Sequence, residues 1–490
     1  MKAQKKPNPP KRTQSGNRPK RSMSIEQDGK KCLEKLTRAT QALELPIPQT
    51  QLAKIAKLIV QTMTGPWRYF HSPEHVFAVG DSDDPLEVLA ALFHDIVYVQ
   101  VDGSINFNLT YYISAFIEEE RGQLKLRSRE DLPADRTFEM VAAIFNFSPG
   151  QGLSPYSGQN EFLSAVVATK VLEPFASPSI LAQIAACIEA TVPFRPKTEL
   201  GVSASEILYQ RLHLVREQFA LSLSEEDLVE TIKKAVRMSN RDVAGFAHTS
   251  SAVFLNNTWN LLPETNHNLQ KSGSYTVRDY RTAIQKMAGF LSFLKPEVIF
   301  EQFRGEPDAR TYNSLVDRAR RNLEVGRLYL ESKLVAISIL EALSMRIGQE
   351  VSLAIMVGEL PDSEISIGRL TDYLPNILNP RQPADEIEVE TMQLLEVGRS
   401  EGSDYDLKNS PLAAFIVRYI GFERVRQLQH PLQVFFGGAM SSEEFLESCD
   451  RHVVDMIASE VVKMLENRKT ALSWPRSQSE TPSPFLRLVQ

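Results

Sequence analysis

Cysteine is scarce in this sequence: Cys32, Cys187 and Cys449 are the only three in 490 residues, far apart and odd in number. That excludes a disulfide framework and a cysteine-based zinc site, and it fits a reducing cytoplasm. Cys187 stands in an apolar run and reads as a small buried hydrophobe. No stretch of about 18 apolar residues occurs, so no membrane span is expected. The N-terminus is rich in Lys, Arg and Pro with no apolar segment behind it, which argues against a secretory signal. Positive charge is not in excess either. The net charge of −6 argues against a nucleic-acid binder that works through bulk charge. A P-loop, a dinucleotide glycine motif and internal repeats are all absent, and strand-like alternation is scarce.

What is present is ordinary globular material, 42% hydrophobic and 24% charged. At roughly 150 residues per domain the length allows two or three units. Residues 1–28 read as a disordered basic tail, with Lys5-Lys6, Lys11-Arg12 and Lys20-Arg21 among prolines. Such a tail offers a weak electrostatic contact to nucleic acid or an anionic surface; the plainer reading is a solubilising tail without a partner.

From about Gly29 the apolar residues recur at three- and four-residue spacing. Helices are expected over 86–97, 111–120, 137–147, 161–172, 180–191, 204–219, 229–246 and 312–345. Around residue 346 the character shifts, and Gly348, Gly358, Pro361, Pro375, Pro380 and Pro383 break the chain into short pieces. The expected organisation is all-α: a helical metal-binding domain over 29–345, a second, smaller helical unit over 350–468, and a polar tail over 469–490. The amphipathic segment 318–345 has an apolar stripe wider than a coiled-coil seam. It is expected to pack on the first domain or on a second subunit in a homo-oligomer.

The chemistry is concentrated in a few histidines and aspartates. In Phe70-His71-Ser72-Pro73-Glu74-His75-Val76, Ser72 and Pro73 read as the cap and first residue of a helix. His75 then lies in its first turn and His71 just before it. Some twenty residues on, an apolar helix ends in Leu92-Phe93-His94-Asp95-Ile96-Val97-Tyr98. A His-Asp pair in such a helix is costly to bury unless it is paired, neutralised or metal-bound, and imidazole with carboxylate suits a divalent ion. A hydrogen-bonded pair closing the helix is the plain alternative.

These runs, with Asp242 in Ser239-Asn240-Arg241-Asp242-Val243, resemble the HD superfamily of metal-dependent phosphohydrolases. That family carries a Tyr-His-x-x-x-His-Val motif, then an apolar helix ending in His-Asp, then a single distant Asp. The Phe-His-Asp-Ile-Val-Tyr run is most similar to the small predicted metal-dependent phosphohydrolase branch, and the resemblance covers roughly residues 50–250. It implies an HD-domain helical bundle with His75, His94, Asp95 and Asp242 as ligands of a divalent metal (Mn, Fe, Zn, Co or Mg). It also implies that His71 serves near the phosphate as hydrogen-bond donor or general acid, and that Asp95 belongs to the catalytic centre. Arg241 and Arg195 are read as partners of the phosphate charge; the plain alternative for each is an ion pair.

Two departures stand out. The branch places a Glu in the helix after His-Asp, whereas Asn106 to Ala115 holds no acid and Asp102 is the nearest substitute. A Thr-x-x-His element is represented by Thr191-Val192-Pro193-Phe194, without its histidine. The expected function is hydrolysis of a nucleotide or other small phosphoester by metal-activated water. A catalytically degenerate HD pocket that senses a nucleotide, or a scaffold, is the alternative. His213 reads as a core histidine, His248 stays unassigned, and His267, His430 and His452 read as surface residues.

Overall fold

The computed structural model describes residues 21–269, 275–348, 351–357, 370, 374–403 and 405–464. Most of the expected N-terminal tail, the C-terminal tail from 469 and part of the proline-rich stretch after 346 lie outside the described residues. The fold is mostly helical, as the periodicity requires. Helices occupy Arg136–Phe145, Gln159–Leu172, Pro178–Glu189, Ala204–Phe219, Glu225–Asp242 and Ala309–Met345, close to the expected ranges. The first helix is described from Arg21, eight residues before the pattern suggested, and carries an exposed Lys30–Glu26 pair at 2.7 Å.

One expectation fails at 111–120. Only Phe107–Ile113 is helical there, and Ile117–Glu120 pairs antiparallel with Gln123–Leu126. The turn between them has Arg121 at φ 53° and Gly122 at φ 80°, the doubly left-handed pair that matches the twist of a hairpin. The run Glu118-Glu119-Glu120 favours helix by propensity; the turn and the burial of Ile117 and Leu126 override it.

The buried residues form two cores. The first runs from Cys32 to Met238 and takes in Phe303. The second runs from Ala247 to Val461. The border between these two clusters falls near residue 240, and the expected boundary at 346 lies inside the second. The helix Ala309–Met345 is the reason. From Leu323 to Leu343 it is buried almost continuously, because it packs on Val277–Phe293, Glu386–Glu396 and Pro411–Ile420. The glycines and prolines after 346 end a helix without ending a core.

All three cysteines are buried thiols. Burial pushes Cys32 and Cys449 up to about 12 and raises Cys187 further. None should react with iodoacetamide at pH 8 in the native protein, and all three should react in guanidinium, as intact-mass measurement would count. A native adduct on Cys187 would contradict its burial.

Candidate metal centre

Three helices of the first core converge at their ends. Pro85–Phe93 starts at Asp84, whose carboxylate accepts from the amides of Leu86 and Glu87. It is apolar on every side and buried from Leu86 to Phe93, so it runs through the core. His94 caps its C-terminal end and Asp95 follows. Pro73–Val79 carries His75 in its first turn. Ser72 occupies the N-cap position as expected, but its hydroxyl donates to Glu74 Oε2 at 2.6 Å instead of capping the helix. Glu225–Asp242, opened by a capping box between Ser224 and Asp227, delivers Asp242 from its last turn.

A buried carboxylate locks these helices together. Glu87, 1% exposed, lies in the first turn of the apolar helix and meets Arg237 Nε at 2.7 Å and Arg241 Nη2 at 2.5 Å. Arg241 Nε also donates to the carbonyl of Val79, at 2.8 Å. Arg241 thus bridges the three helices that carry the cluster, which is the ion-pair alternative of the sequence reading. Arg195 is likewise engaged, with Nη1 2.7 Å from Glu189 Oε1.

At the convergence, His75 Nε2 lies 2.9 Å from Asp242 Oδ1 and 3.3 Å from Asp95 Oδ2. His94 Nε2 lies 3.0 Å from Asp95 Oδ2 and 3.4 Å from Asp242 Oδ1. The four ligand atoms all fall within 4.8 Å of one another, so this buried group could hold a metal ion. Ligand atoms around an ion with bonds of ~2.1 Å sit roughly 3.0–3.4 Å apart, close to these spacings. His94 Nδ1 lies 2.8 Å from the carbonyl of Ala91, which keeps its proton on that side and turns the Nε2 lone pair inward. His94 Nε2 and Asp95 Oδ2 are nevertheless buried without a well-formed hydrogen bond. Such atoms are expensive unless something else meets them, and a divalent ion does.

Without metal, protons hold the cluster together. Burial works against a charge on His75, but hydrogen bonds and charge from Asp242 and Asp95 outweigh it and hold the imidazole at about 9. Burial opposes ionisation of Asp242 too, and His75 and His94 overcome it and hold the carboxyl at about 2. A histidine raised above its unfolded value of about 6.5 stabilises fully below that value and loses this contribution as pH rises through 9. The aspartate contributes above about 3.8 and loses its share as pH falls through 2. EDTA-treated protein should therefore lose thermal stability between pH 6.5 and 9. Protein saturated with Mn2+ should lose less, because the ion takes the place of those protons. Melting curves across that range check it; parallel curves with and without metal would contradict the assignment.

His71 stands beside the quartet, its ring centroid 5.8 Å from that of His75 and 4.4 Å from that of Tyr98. Its position is set by Glu264 on Ser251–Thr265, a helix of the second core. Glu264 Oε1 accepts from the backbone amides of Tyr69, Phe70 and His71 at 2.8, 2.8 and 2.9 Å, and Oε2 lies 2.6 Å from His71 Nδ1. The Nε2 of His71 is then the nitrogen left to meet a bound group. Asp102 is spoken for: it forms a two-pronged pair with buried Arg68 at 2.9 and 2.7 Å, and Arg68 Nη1 donates to the carbonyl of Asp95 at 2.7 Å. The pair braces the ligand loop, and Asp102 does not replace the missing acid.

Another buried acid, which the sequence did not single out, interacts electrostatically with the cluster. Glu161, in the first turn of Gln159–Leu172, has Oε2 buried without a hydrogen-bond partner. Burial, followed after an opposing backbone hydrogen bond by the charges of Asp95 and Asp242, pushes its carboxyl up to about 8. Its helix is seated by Gly158, at φ 83°, where a Cβ would stand 2.6 Å from Val192 Cγ2. No larger residue fits that approach.

The remaining histidines lie elsewhere. His213 is not in the core: it is half exposed, 3.6 Å from Glu217 and 3.7 Å from Glu225. His248 is exposed and accepts from the amide of Ser250. His430 and His452 are exposed, and His267 stacks on Trp67 at 4.2 Å. Among the described residues no helix is long and apolar enough to cross a membrane. Comparison with family models, curated proteins and solved structures finds no match to the chain.

Proposed function

We propose that the chain is an HD-type metal-dependent phosphohydrolase that hydrolyses a nucleotide or other small phosphoester. The observation that carries the reading is the convergence of His75, His94, Asp95 and Asp242, in the order the HD motifs require along the sequence. A bound divalent ion supplies an activated water and Lewis-acid stabilisation of a phosphoryl oxygen. The chain's own groups divide the rest. His71 meets the phosphate through Nε2, with Glu264 fixing its ring. Glu161 carries a proton at neutral pH and donates it to the departing oxygen. Apolar walls on the His94 helix keep bulk water from the ligands.

Metal analysis of the purified protein, with a screen of phosphomonoesters and cyclic nucleotides under Mn2+ and Fe2+, tests this reading. Turnover by the wild type and none by Asp95→Ala is the expected result. Equal inactivity of both on every substrate would sink it.

One observation favours a second reading, a nucleotide sensor without turnover. Arg241 and Arg195 are both engaged by buried glutamates, so neither is free to neutralise a transferring phosphoryl group. Stabilisation of the fold by a nucleotide, with no product formed, would decide for the sensor.

A further inference from the structure

The second core contains a half-open cavity of about 100 Å3 that the proposed chemistry does not use. Its walls are largely apolar, with Ala336, Ile337 and Leu340 of the long helix facing Leu353 and Leu412. Lys333 and Asp406 are set into the same lining. Lys333 Nζ is 3.3 Å from Asp406 Oδ2 and donates to Ser410 Oγ at 3.0 Å. Behind the carboxylate, Arg399 is 1% exposed and places Nη1 3.3 Å from the same oxygen. Trp259 Nε1 and Tyr280 OH also donate to that oxygen, at 2.7 and 2.8 Å.

The charges do not balance. Among the described residues, two buried cations share one carboxylate, and Arg399 Nε has no hydrogen-bond partner. The rings of Trp259, Tyr280 and Tyr329 lie 5.1, 5.4 and 5.9 Å from Lys333 Nζ and offset part of the excess without cancelling it. A buried charge left over in this way calls for a counter-charge. An empty space beside it, lined by aliphatic side chains, supplies the room.

We propose that this cavity binds a small organic anion, a monocarboxylate with a short apolar chain. The carboxylate meets Lys333 Nζ, and the chain lies along Ala336, Ile337 and Leu340. One excess charge favours a singly charged head over a phosphate. The aliphatic side chains of the long helix favour an apolar chain over a polar one.

The test uses the full-length protein, with calorimetry and thermal melts in sodium butanoate, hexanoate and octanoate. 1-Hexanol, hexylammonium and inorganic phosphate serve as controls. At least one carboxylate should bind saturably and raise the melting midpoint, and the controls should not. Lys333→Met should weaken that binding by about tenfold or more, as expected for losing a charge-assisted hydrogen bond. Ala336→Leu fills the cavity without touching the charges, and it should weaken binding at least as much while the circular dichroism stays unchanged. If Lys333→Met does not fold, Ala336→Leu decides alone. The proposal is overturned if none of the carboxylates binds, if hexanol, hexylammonium or phosphate binds as well as they do, or if Ala336→Leu binds as tightly as the wild type.

Discussion

Asp242→Ala should purify with little or no divalent metal, and added Mn2+ or Zn2+ should no longer raise its thermal midpoint. The substitution removes one of four ligand atoms and the carboxylate that His75 approaches at 2.9 Å. Loss of a group that merely orients a ligand already costs about 10–100-fold in metal affinity, so loss of a ligand should exceed that. Any phosphoester turnover should fall to background with it. Arg241→Ala separates the ligand from its support. This arginine joins Glu87 and Val79 without touching the quartet, so its removal should weaken metal binding by a smaller factor, within about 10–100-fold. Plasma mass spectrometry on purified protein, with chelator competition, measures both. If Asp242→Ala holds as much metal as the wild type, the centre lies elsewhere.

Glu161→Gln should behave in the opposite sense, keeping its metal and losing its rate. Gln has nearly the same shape, and the residue lies outside the ligand set, so metal content and melting behaviour should hardly change. Burial pushes the Glu161 carboxyl up to about 8, which is the ground for casting it as the proton donor in the proposed reaction. Proton transfer by a positioned side chain contributes about 10²–10⁴-fold, and kcat should fall by that factor on whichever phosphoester the wild type accepts. KM should move little. An unchanged kcat would remove Glu161 from the reaction.

The four residues that could hold an ion were legible because each announces itself locally. His94-Asp95 interrupts an apolar run, His75 follows a Ser-Pro helix start, and Asp242 closes a capped helix. Their neighbours were not, since their partners are distant in the chain. Glu161 is a lone acid opening a run from Phe162 to Leu172, a weak signal that gains meaning only when its helix packs near Asp95. Glu264 sits 193 residues from the histidine it orients, and nothing around it hints at that contact. Arg241, adjacent to Asp242 in sequence, lies on a different face of the helix and turns toward Glu87. The border between the two buried clusters was not legible for a similar reason. Gly and Pro mark where helices stop, whereas a core is bounded by what the long helix Ala309–Met345 buries on either side.

The Glu264 clamp divides responsibility in a way that matters for the history and the redesign of this chain. All four ligand atoms come from the first core, but the orientation of His71 is lent by a helix of the second. An excised piece ending near residue 245 would keep the ingredients for an ion and surrender control of His71. Exchange of the C-terminal half, by evolution or by graft, would then retune the reaction while the ion's own seat passed unaltered from one chain to the next.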